Sequence, residues 1–274
     1  MTVFYKYQAA GNDFIIIDST EAYSHGKGEQ YLSEWQACAT RICHRRFGVG
    51  ADGILLVSRL MGDNFDIKVD IINSDGSLAE MCGNGMRCVA RYLSDILSVS
   101  TGAWRVETLG GIQFIRLQAS CEFPIEVRMA RVELGDEMEV EVSDGRKFTG
   151  TSVSVGNPHF VICVDASEDV HALAGRYGEE LCKLEIFREG ANIEFTKLTS
   201  VDEAETAVYE RGCGITMACG TGAVATSGVW HKRYGMNEMI IAMTGGRLKI
   251  QTANESRSKY ILCGDASKVF EGTL

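Results

Sequence analysis

The sequence lacks any long hydrophobic run and any excess of positive charge. No stretch of roughly 18 or more apolar residues is present, which argues against a membrane-spanning helix. The formal net charge is −10, so neither a nucleic acid nor an anionic membrane is an expected partner. The first six residues also lack the basic start and apolar core of a signal peptide. We therefore expect a globular, cytoplasmic protein.

The sequence also lacks the cysteine spacings of a metal site or of a secreted disulfide framework. Ten cysteines are present, but disulfide frameworks belong to small secreted domains. No close pair with the gap of a structural zinc site is matched by a second pair, and no pyridoxal phosphate signature is evident. We therefore expect no metal and no cofactor. Cys121, Cys163, Cys182 and Cys263 are predicted to be small buried hydrophobic residues.

The most informative segment is residues 73–93, in which Cys82 stands directly before the sequence Gly-Asn-Gly. Apolar residues follow at the i, i+3, i+4 and i+7 positions of one helix face. Cys82 is therefore predicted at a helix N-terminus, where unpaired backbone N–H groups and the helix dipole favour negative charge. The same arrangement recurs at Cys219, before Gly-Thr-Gly. Residues 215–230 contain no charged residue and predict a buried helix.

The two cysteine motifs belong to a longer internal repeat. Gly-Asn turns occur at Gly11 and Gly156, 145 residues apart, and the two cysteine motifs are 137 residues apart. Similar offsets in the same order predict two copies of one β-rich α/β unit. The predicted N-terminal half is residues 1–120 with 265–274, and the predicted C-terminal half is residues 121–264.

Alternating hydrophobicity and turn residues predict many strands and few helices. Further helices are predicted at residues 29–46 and 169–181. Strands are predicted as a hairpin at residues 4–18 and at residues 54–57, 65–72, 104–108, 112–119, 125–130, 138–142, 151–155, 158–162, 191–195, 206–211, 239–243, 247–252 and 259–263.

Two thiols in equivalent positions of a repeat suit the inversion of a carbon stereocentre. A thiol at a helix N-terminus is expected to have a lowered pKa. One thiol can remove a proton from one face of a carbon while the other delivers a proton to the opposite face. The backbone N–H groups of Gly83, Asn84, Gly220 and Thr221 can then hold a substrate carboxylate and stabilise its growing negative charge.

Several polar residues near these motifs are candidates for the rest of a site. Glu210 and Arg211 are either a solvated ion pair or recognise the ammonium and carboxylate groups of an amino acid. His159 is either a structural histidine or a group that tunes a nearby thiol. Each of four asparagines at strand ends is either a turn residue or a substrate contact: Asn12, Asn73, Asn157 and Asn192.

Taken in order, these motifs resemble those of the diaminopimelate epimerase family, cofactor-independent isomerases of lysine and cell-wall precursor biosynthesis. The resemblance covers nearly the whole chain, through GNDF at 11–14, GVGADG at 48–53, NSDGS at 73–77, EMCGNG at 80–85, GNPH at 156–159, EGAN at 189–192, ERG at 210–212 and ACGTGA at 218–223. It implies an α/β (α+β) fold of two similar domains related by a pseudo-two-fold axis. Each domain would be a β-barrel-like sheet wrapped around a central helix.

The resemblance also implies roles for individual residues. Cys82 and Cys219 match the catalytic acid/base pair, and His159 and Glu210 match groups that support the thiols. The substrate-binding positions that it implies are Asn12, Asn73, Gly83, Asn84, Asn157, Asn192, Glu210, Arg211, Gly220 and Thr221. The implied substrate is a small molecule, the amino acid LL-2,6-diaminopimelate, which is converted to the meso form without a cofactor by a homodimer.

Two departures from the family pattern keep other functions open. Ile215 stands where the family usually has Glu before Thr216, and residues 7–10 differ from the usual Met-His-Gly-Leu. A racemase of another amino acid, such as histidine, is therefore an alternative, and a proline-racemase-like enzyme fits less well. A thiol–disulfide oxidoreductase would need a Cys-x-x-Cys motif, which is absent. A cysteine hydrolase would need only one of the two cysteines.

Overall fold

The computed structural model describes residues 1–60, 62–119, 121–253 and 256–274. The chain divides into two compact units, one made of Met1–Val127 with Gly264–Leu274 and the other made of Arg128–Cys263. The boundary predicted at residues 120 and 121 stays a prediction, and Ser120 itself lies outside the described residues.

The first unit contains three helices and eight complete strands among its described residues. Its strands are β1 (Val3–Ala9), β2 (Asn12–Asp18), β3 (Gly53–Ser58), β4 (Ile67–Asn73), β5 (Leu78–Ala79), β6 (Gly102–Thr108), β7 (Gly111–Leu117) and β18 (Ser267–Thr273), and its helices are α1 (Thr20–Ser24), α2 (Gly28–Ile42) and α3 (Gly83–Leu97). Strand β8 (Ile125–Arg131) contains the point at which the chain passes to the second unit.

The second unit contains two helices among its described residues. Its strands are β9 (Glu133–Glu141), β10 (Lys147–Ser154), β11 (Pro158–Cys163), β12 (Asn192–Leu198), β13 (Glu203–Glu210), β14 (Gly214–Ile215), β15 (Glu238–Met243), β16 (Gly246–Ala253) and β17 (Ser256–Gly264), and its helices are α4 (Val170–Cys182) and α5 (Gly220–Tyr234).

The two units repeat one order of strand pairings. In the first unit, β1 pairs antiparallel with β2, β2 pairs parallel with β3, and β3 pairs antiparallel with β4. Strand β4 then pairs antiparallel with β5 and parallel with β6. In the second unit, β10, β11, β12, β13, β14 and β15 repeat these pairings in the same order and directions. The predicted α/β class with two similar domains is therefore confirmed.

Each unit places one helix among its own strands. Helix α3 contacts β1, β2, β3, β7 and β18, and helix α5 contacts six strands of the second unit. In α3, the residues on the predicted apolar face, Met86, Val89, Ala90 and Leu93, are all buried. Helix α5 is buried from Gly222 to Trp230 because no charged side chain occurs in that stretch.

The bounds of two helices differ from those predicted. Helix α5 begins at Gly220 rather than at residue 215. Ile215 belongs to strand β14, where it pairs with Tyr209 of β13, and Cys219 has an extended backbone. Helix α2 ends at Ile42 rather than at residue 46. The carbonyl of Ile42 accepts a hydrogen bond from the backbone of Gly50 instead of continuing the helical pattern.

One of the predicted buried cysteines is on the surface. Cys121 is exposed, whereas Cys182 and Cys263 are buried and Cys163 is half-buried. The prediction for Cys121 is wrong because β7 ends at Leu117 and β8 begins at Ile125, which leaves Cys121 in the connection between them.

The last strand returns to the first unit. Strand β18 pairs antiparallel with β1, with Val3 opposite Thr273 and Gln8 opposite Ser267. Residues at the two ends of the chain are thus neighbours in one sheet. Among the described residues, none of the helices combines the length and the apolar character that crossing a membrane requires.

Candidate active site

Cys82 caps helix α3 with its own sulfur. Its backbone is extended, and its Sγ accepts a hydrogen bond from the backbone N–H of Gly85 at 3.3 Å. The thiol lies 3.8 Å from Oδ1 of Asn12, and the same oxygen accepts a hydrogen bond from Nδ2 of Asn84 at 3.3 Å. The structure thus brings together three predicted site residues at the first turn of α3, where Gly83 is the first helical residue.

An ionic network fixes the orientation of Asn12. Its Nδ2 donates to Oδ2 of Asp52 at 2.6 Å, and Arg45 bridges Asp52 and Asp13 at 2.6 and 2.8 Å. Lys6 lies 2.7 Å from Asp13 on the other side. Burial alone would raise the pKa of Asp13, but hydrogen bonds from Arg45 and Lys6 outweigh it and lower that pKa to about 2. The amide of Asn12 is therefore held with its oxygen toward the thiol.

Cys219 caps helix α5 in the same way. Its backbone is extended, and its Sγ accepts a hydrogen bond from the backbone N–H of Gly222 at 3.3 Å. The sulfur also lies 3.4 Å from the hydroxyl of Thr221, and Gly220 is the first helical residue. Both cysteines predicted at helix N-termini therefore accept the same hydrogen bond from the backbone.

The two thiols differ in exposure, and the electrostatics of Cys219 oppose ionisation. Cys82 is half-buried, whereas Cys219 is buried. Burial raises the pKa of the Cys219 thiol well above its ordinary value, and the negative charges of Glu210 and Glu194 raise it further. The expected lowering of the pKa at a helix N-terminus is therefore wrong for Cys219. Its hydrogen bonds with Thr221 and with the backbone of Gly222 lower the pKa, as predicted, but burial and the two carboxylates outweigh them.

Glu210 and Cys219 interact with each other. Burial raises the pKa of its carboxyl, while hydrogen bonds from Thr216 and from the Cys219 thiol lower it. Thr216 is the residue that follows the altered position Ile215, and its hydroxyl bonds directly to Glu210. Ile215 itself is 55% exposed. The replacement of Glu by Ile at position 215 therefore leaves the hydrogen bond between Thr216 and Glu210 intact.

His159 and Asn157 join the surroundings of Cys219 from the start of β11. Nε2 of His159 lies 3.0 Å from Oδ1 of Asn157. Nδ2 of Asn157 then donates to the hydroxyl of Thr221 at 3.3 Å. His159, Asn157, Thr221 and Cys219 thus form a continuous chain of hydrogen-bonding groups.

The remaining predicted residues are not in that chain. Oδ1 of Asn192 accepts a hydrogen bond from the backbone N–H of Arg211 at 2.9 Å, and the side chain of Arg211 donates to the carbonyl of Glu189. Arg211 therefore takes a partner other than the adjacent Glu210. In the first unit, exposed Asn73 donates to Ser77 at 2.9 Å, within the segment that follows β4.

The sequence interpretation missed Glu194. This residue lies in β12, its carboxylate is buried, and its Oε1 is 2.7 Å from Nδ1 of His159. A single carboxylate between Ile193 and Phe195 in an apolar strand was the available signal, because a buried charge is retained when it has a partner.

The family model described as diaminopimelate epimerase matches residues 4–135 and 151–269 of this chain. The diaminopimelate epimerase of Desulfitobacterium hafniense is 36% identical over 289 residues, which cover 98% of this chain and 96% of that protein. The diaminopimelate epimerase of Parabacteroides distasonis is 38% identical over 278 residues, which cover 99% of this chain and 97% of that protein. The chain belongs to the diaminopimelate epimerase family. It is accordingly an amino-acid epimerase, as predicted.

Solved structures of low sequence identity share the fold of this family member. A hydroxyproline epimerase from Agrobacterium vitis aligns with a TM-score of 0.75 at 13% identity, covering 100% of this chain and 90% of that chain. A phenazine biosynthesis protein of the PhzF family from Bacillus anthracis aligns with a TM-score of 0.71 at 16% identity, covering 99% of this chain and 98% of that chain. These two likenesses concern the fold alone.

The electrostatics of Cys219 can be tested by alkylation. We expect Glu210→Gln to lower the pKa of Cys219, because the variant removes a negative charge beside the sulfur. Carboxymethylation of Cys219 by iodoacetate, followed by mass spectrometry as a function of pH, should therefore begin at a lower pH than in the unmodified protein. Exposed Cys121 serves as the internal reference.

The matched control is Glu189→Gln, since the side chain of Glu189 is 86% exposed. That variant should leave the alkylation profile of Cys219 unchanged. A Glu210→Gln profile that stays in place or moves to higher pH would contradict the assigned cause of the shift.

Proposed function

We propose that this chain inverts the α-carbon of LL-2,6-diaminopimelate to give meso-diaminopimelate, with Cys82 and Cys219 as the two acid/base groups. The observation that supports this most directly is that each cysteine caps a helix with its sulfur at an equivalent position of a duplicated unit. Family membership supports the substrate, because the relatives named above carry the name diaminopimelate epimerase.

In this proposal, one thiolate removes the α-proton from one face of the carbon and the other thiol delivers a proton to the opposite face. A single base would return the proton to the side from which it came. The reaction is balanced, since one proton leaves the substrate, another enters, and the two sulfurs exchange protonation states. Glu210 assists Cys219, because the thiol donates a hydrogen bond to that carboxylate.

The N-termini of helices α3 and α5 stabilise the charge that develops during proton removal. Loss of the α-proton moves negative charge onto the substrate carboxylate, and backbone N–H groups at a helix N-terminus bind such an anion. Gly83 with Asn84 and Gly220 with Thr221 supply those groups at the first turns of α3 and α5. The carboxylate therefore needs neither a metal ion nor a cofactor to stabilise it.

Polar residues around the two thiols recognise the rest of the substrate. We assign this role to Asn12, Asn73, Asn157, Asn192, Glu210 and Arg211. Asn157 and Asn192 lie at the starts of β11 and β12, which pair in parallel with His159 opposite Asn192. The side chains of Asn157 and Asn192 are therefore held at one edge of the second unit's sheet.

We also propose that the protein is a cytoplasmic homodimer. All residues of strand β18 except Gly272 are exposed, including Val269 at 54% and Phe270 at 44%. Exposed apolar residues on a strand are typical of a protein interface. The ten cysteines are free in the described structure, which suits a reducing compartment.

Replacement of either thiol tests the two-base mechanism. We expect Cys82→Ala and Cys219→Ala each to lower the rate of stereoinversion by about 10²–10⁴-fold, because each removes one proton-transfer group. The rate is measured by chromatographic separation of the LL and meso forms. Cys121→Ala is the matched control and should keep the full rate. Near-normal inversion by either active-site variant would contradict the mechanism.

The substrate can be tested without assuming its identity. In deuterium oxide, we expect deuterium to enter the α-position of LL- and meso-diaminopimelate but not that of histidine or proline. Mass spectrometry after incubation with each amino acid measures this exchange. Exchange with histidine or proline in the absence of exchange with diaminopimelate would replace the proposed substrate.

The dimer is tested by light scattering coupled to size-exclusion chromatography. We expect the mass of two chains for the unmodified protein and a smaller average mass for Val269→Lys, since a lysine on an exposed strand opposes pairing. The control is Val201→Lys, at a position that is 83% exposed in the second unit. A single-chain mass for the unmodified protein would exclude the homodimer.

A further inference from the structure

The hairpin of β13 and β14 brings Thr216 to Glu210. Strand β13 ends at Glu210, which lies directly opposite Gly214 of β14. Successive side chains of a strand alternate between its two faces, so Thr216, two residues after Gly214, is on the same face as Glu210. Such diagonal neighbours are within reach of a long side chain. The hydroxyl of Thr216 accordingly donates a hydrogen bond to Oε1 of Glu210.

The turn between the two strands fixes where Thr216 lies. Gly212 and Gly214 have φ angles of +84° and +79°, in the left-handed region that favours glycine. The backbone N–H of Cys213 donates to the carbonyl of Glu210 at 3.1 Å. The backbone of the hairpin therefore holds the Thr216 hydroxyl next to the carboxylate.

Glu210 needs a donor of this kind because its surroundings favour the neutral carboxyl group. Burial raises the pKa of Glu210, and the negative charge of Glu194 raises it further. Hydrogen bonds from Thr216 and Cys219 lower that pKa, as does the positive charge that His159 can carry. Among the groups that lower it, Thr216 has the largest effect. The hydroxyl is thus the main group that opposes burial.

We propose that Thr216 is a positioning residue whose hydroxyl holds Glu210 as the charged acceptor of the hydrogen bond from the Cys219 thiol. A hydroxyl donor binds a carboxylate more strongly than a neutral carboxyl group, so this hydrogen bond favours the ionised form of Glu210. Thr216 thus acts on the thiol through Glu210. The inference rests on the proposed function, in which Glu210 assists Cys219.

Two other side chains of the hairpin do not take this role. Ile215 is 55% exposed and lies on the opposite face from Thr216. The guanidinium of Arg211 donates to the carbonyl of Glu189 at 2.8 Å. Thr216 is therefore the hairpin side chain that sets the charge of Glu210.

The charge of Glu210 is tested first, by a measurement that needs no activity. The full chain is labelled with ¹³C at the glutamate carboxyl carbons, and their chemical shifts are recorded as a function of pH. The signal of Glu210 is the one lost in Glu210→Gln. We expect Glu210 to be ionised near neutral pH. In Thr216→Val we expect its pKa to be about one pH unit higher, because the hydroxyl donor is lost while the shape of the side chain is kept.

Two further variants control for this titration. Thr216→Ser keeps a hydroxyl group and should restore the titration of the unmodified protein. Thr149→Val makes the same substitution as Thr216→Val at an exposed position of β10 and should leave Glu210 unchanged. A pKa of Glu210 that stays in place or falls in Thr216→Val would overturn the inference. A fall is the result expected if a neutral Glu210 donates to the Thr216 hydroxyl instead.

The kinetic consequence is a change in the pH at which inversion is lost on acidification. Protonation of Glu210 removes the charged acceptor beside Cys219, so the acidic limb of kcat/KM reports its pKa. We expect this limb to move to higher pH by about one unit in Thr216→Val and to return in Thr216→Ser. A rate that falls equally at every pH, with the limb in place, would assign Thr216 a structural role only and refute the inference.

The two measurements separate failure of this inference from failure of the proposed function. If the protein does not act on diaminopimelate but Glu210 titrates as expected, the role of Thr216 stands, and the limb is measured on whichever amino acid exchanges deuterium. If diaminopimelate is inverted but Glu210 titrates alike with and without the hydroxyl, the inference alone fails. If Thr216→Val does not fold, the titration of the unmodified protein decides, and a Glu210 that is neutral near neutral pH refutes the inference.

Discussion

The hydrogen bond from a backbone N–H to a cysteine sulfur at a helix N-terminus is the interaction on which the rest of this site depends. Asp, Asn, Ser and Thr are the usual residues at such positions, because an oxygen acceptor there stabilises the helix. Here the sulfurs of Cys82 and Cys219 take that place, each 3.3 Å from the backbone nitrogen three residues later. The position of each sulfur is thus fixed by the helix that it caps.

The same cap operates in two different electrostatic environments. Around Cys82, an amide oxygen faces the thiol and is held there by an ionic network of aspartates and basic residues. Around Cys219, burial and two carboxylates oppose ionisation, and a hydroxyl group favours it. The two units therefore share the backbone geometry of the thiol but differ in the side chains that surround it. The two thiols are equivalent in position but not in chemistry.

The sequence was sufficient to locate both thiols, because a glycine-rich turn followed by an apolar helical period is a local pattern. The longer helices and most of the strands followed from the same kind of local signal, whereas α1, β5 and β14 were not predicted. The start of α5 was predicted too early, since an uncharged stretch does not distinguish a buried helix from the short strand at Ile215. The raised pKa of Cys219 was not predictable, because it depends first on burial of the thiol in the folded chain and then on the charges of Glu210 and Glu194. Glu194 lies in β12, which is distant from Cys219 along the chain. Glu194 was overlooked because its partner His159 lies on the neighbouring strand β11, which is not next to it in the sequence.

The return of β18 to the first unit has a consequence for how the chain folds during synthesis. Strand β1 is paired by β2 on one side and by β18 on the other, and β18 follows the whole second unit in the sequence. A ribosome therefore releases β1 with one unsatisfied row of backbone groups and completes the second unit before the missing strand emerges. The second unit is continuous and can close by itself, whereas the first must wait for a very long loop to close. The half of the protein made first is thus the half finished last.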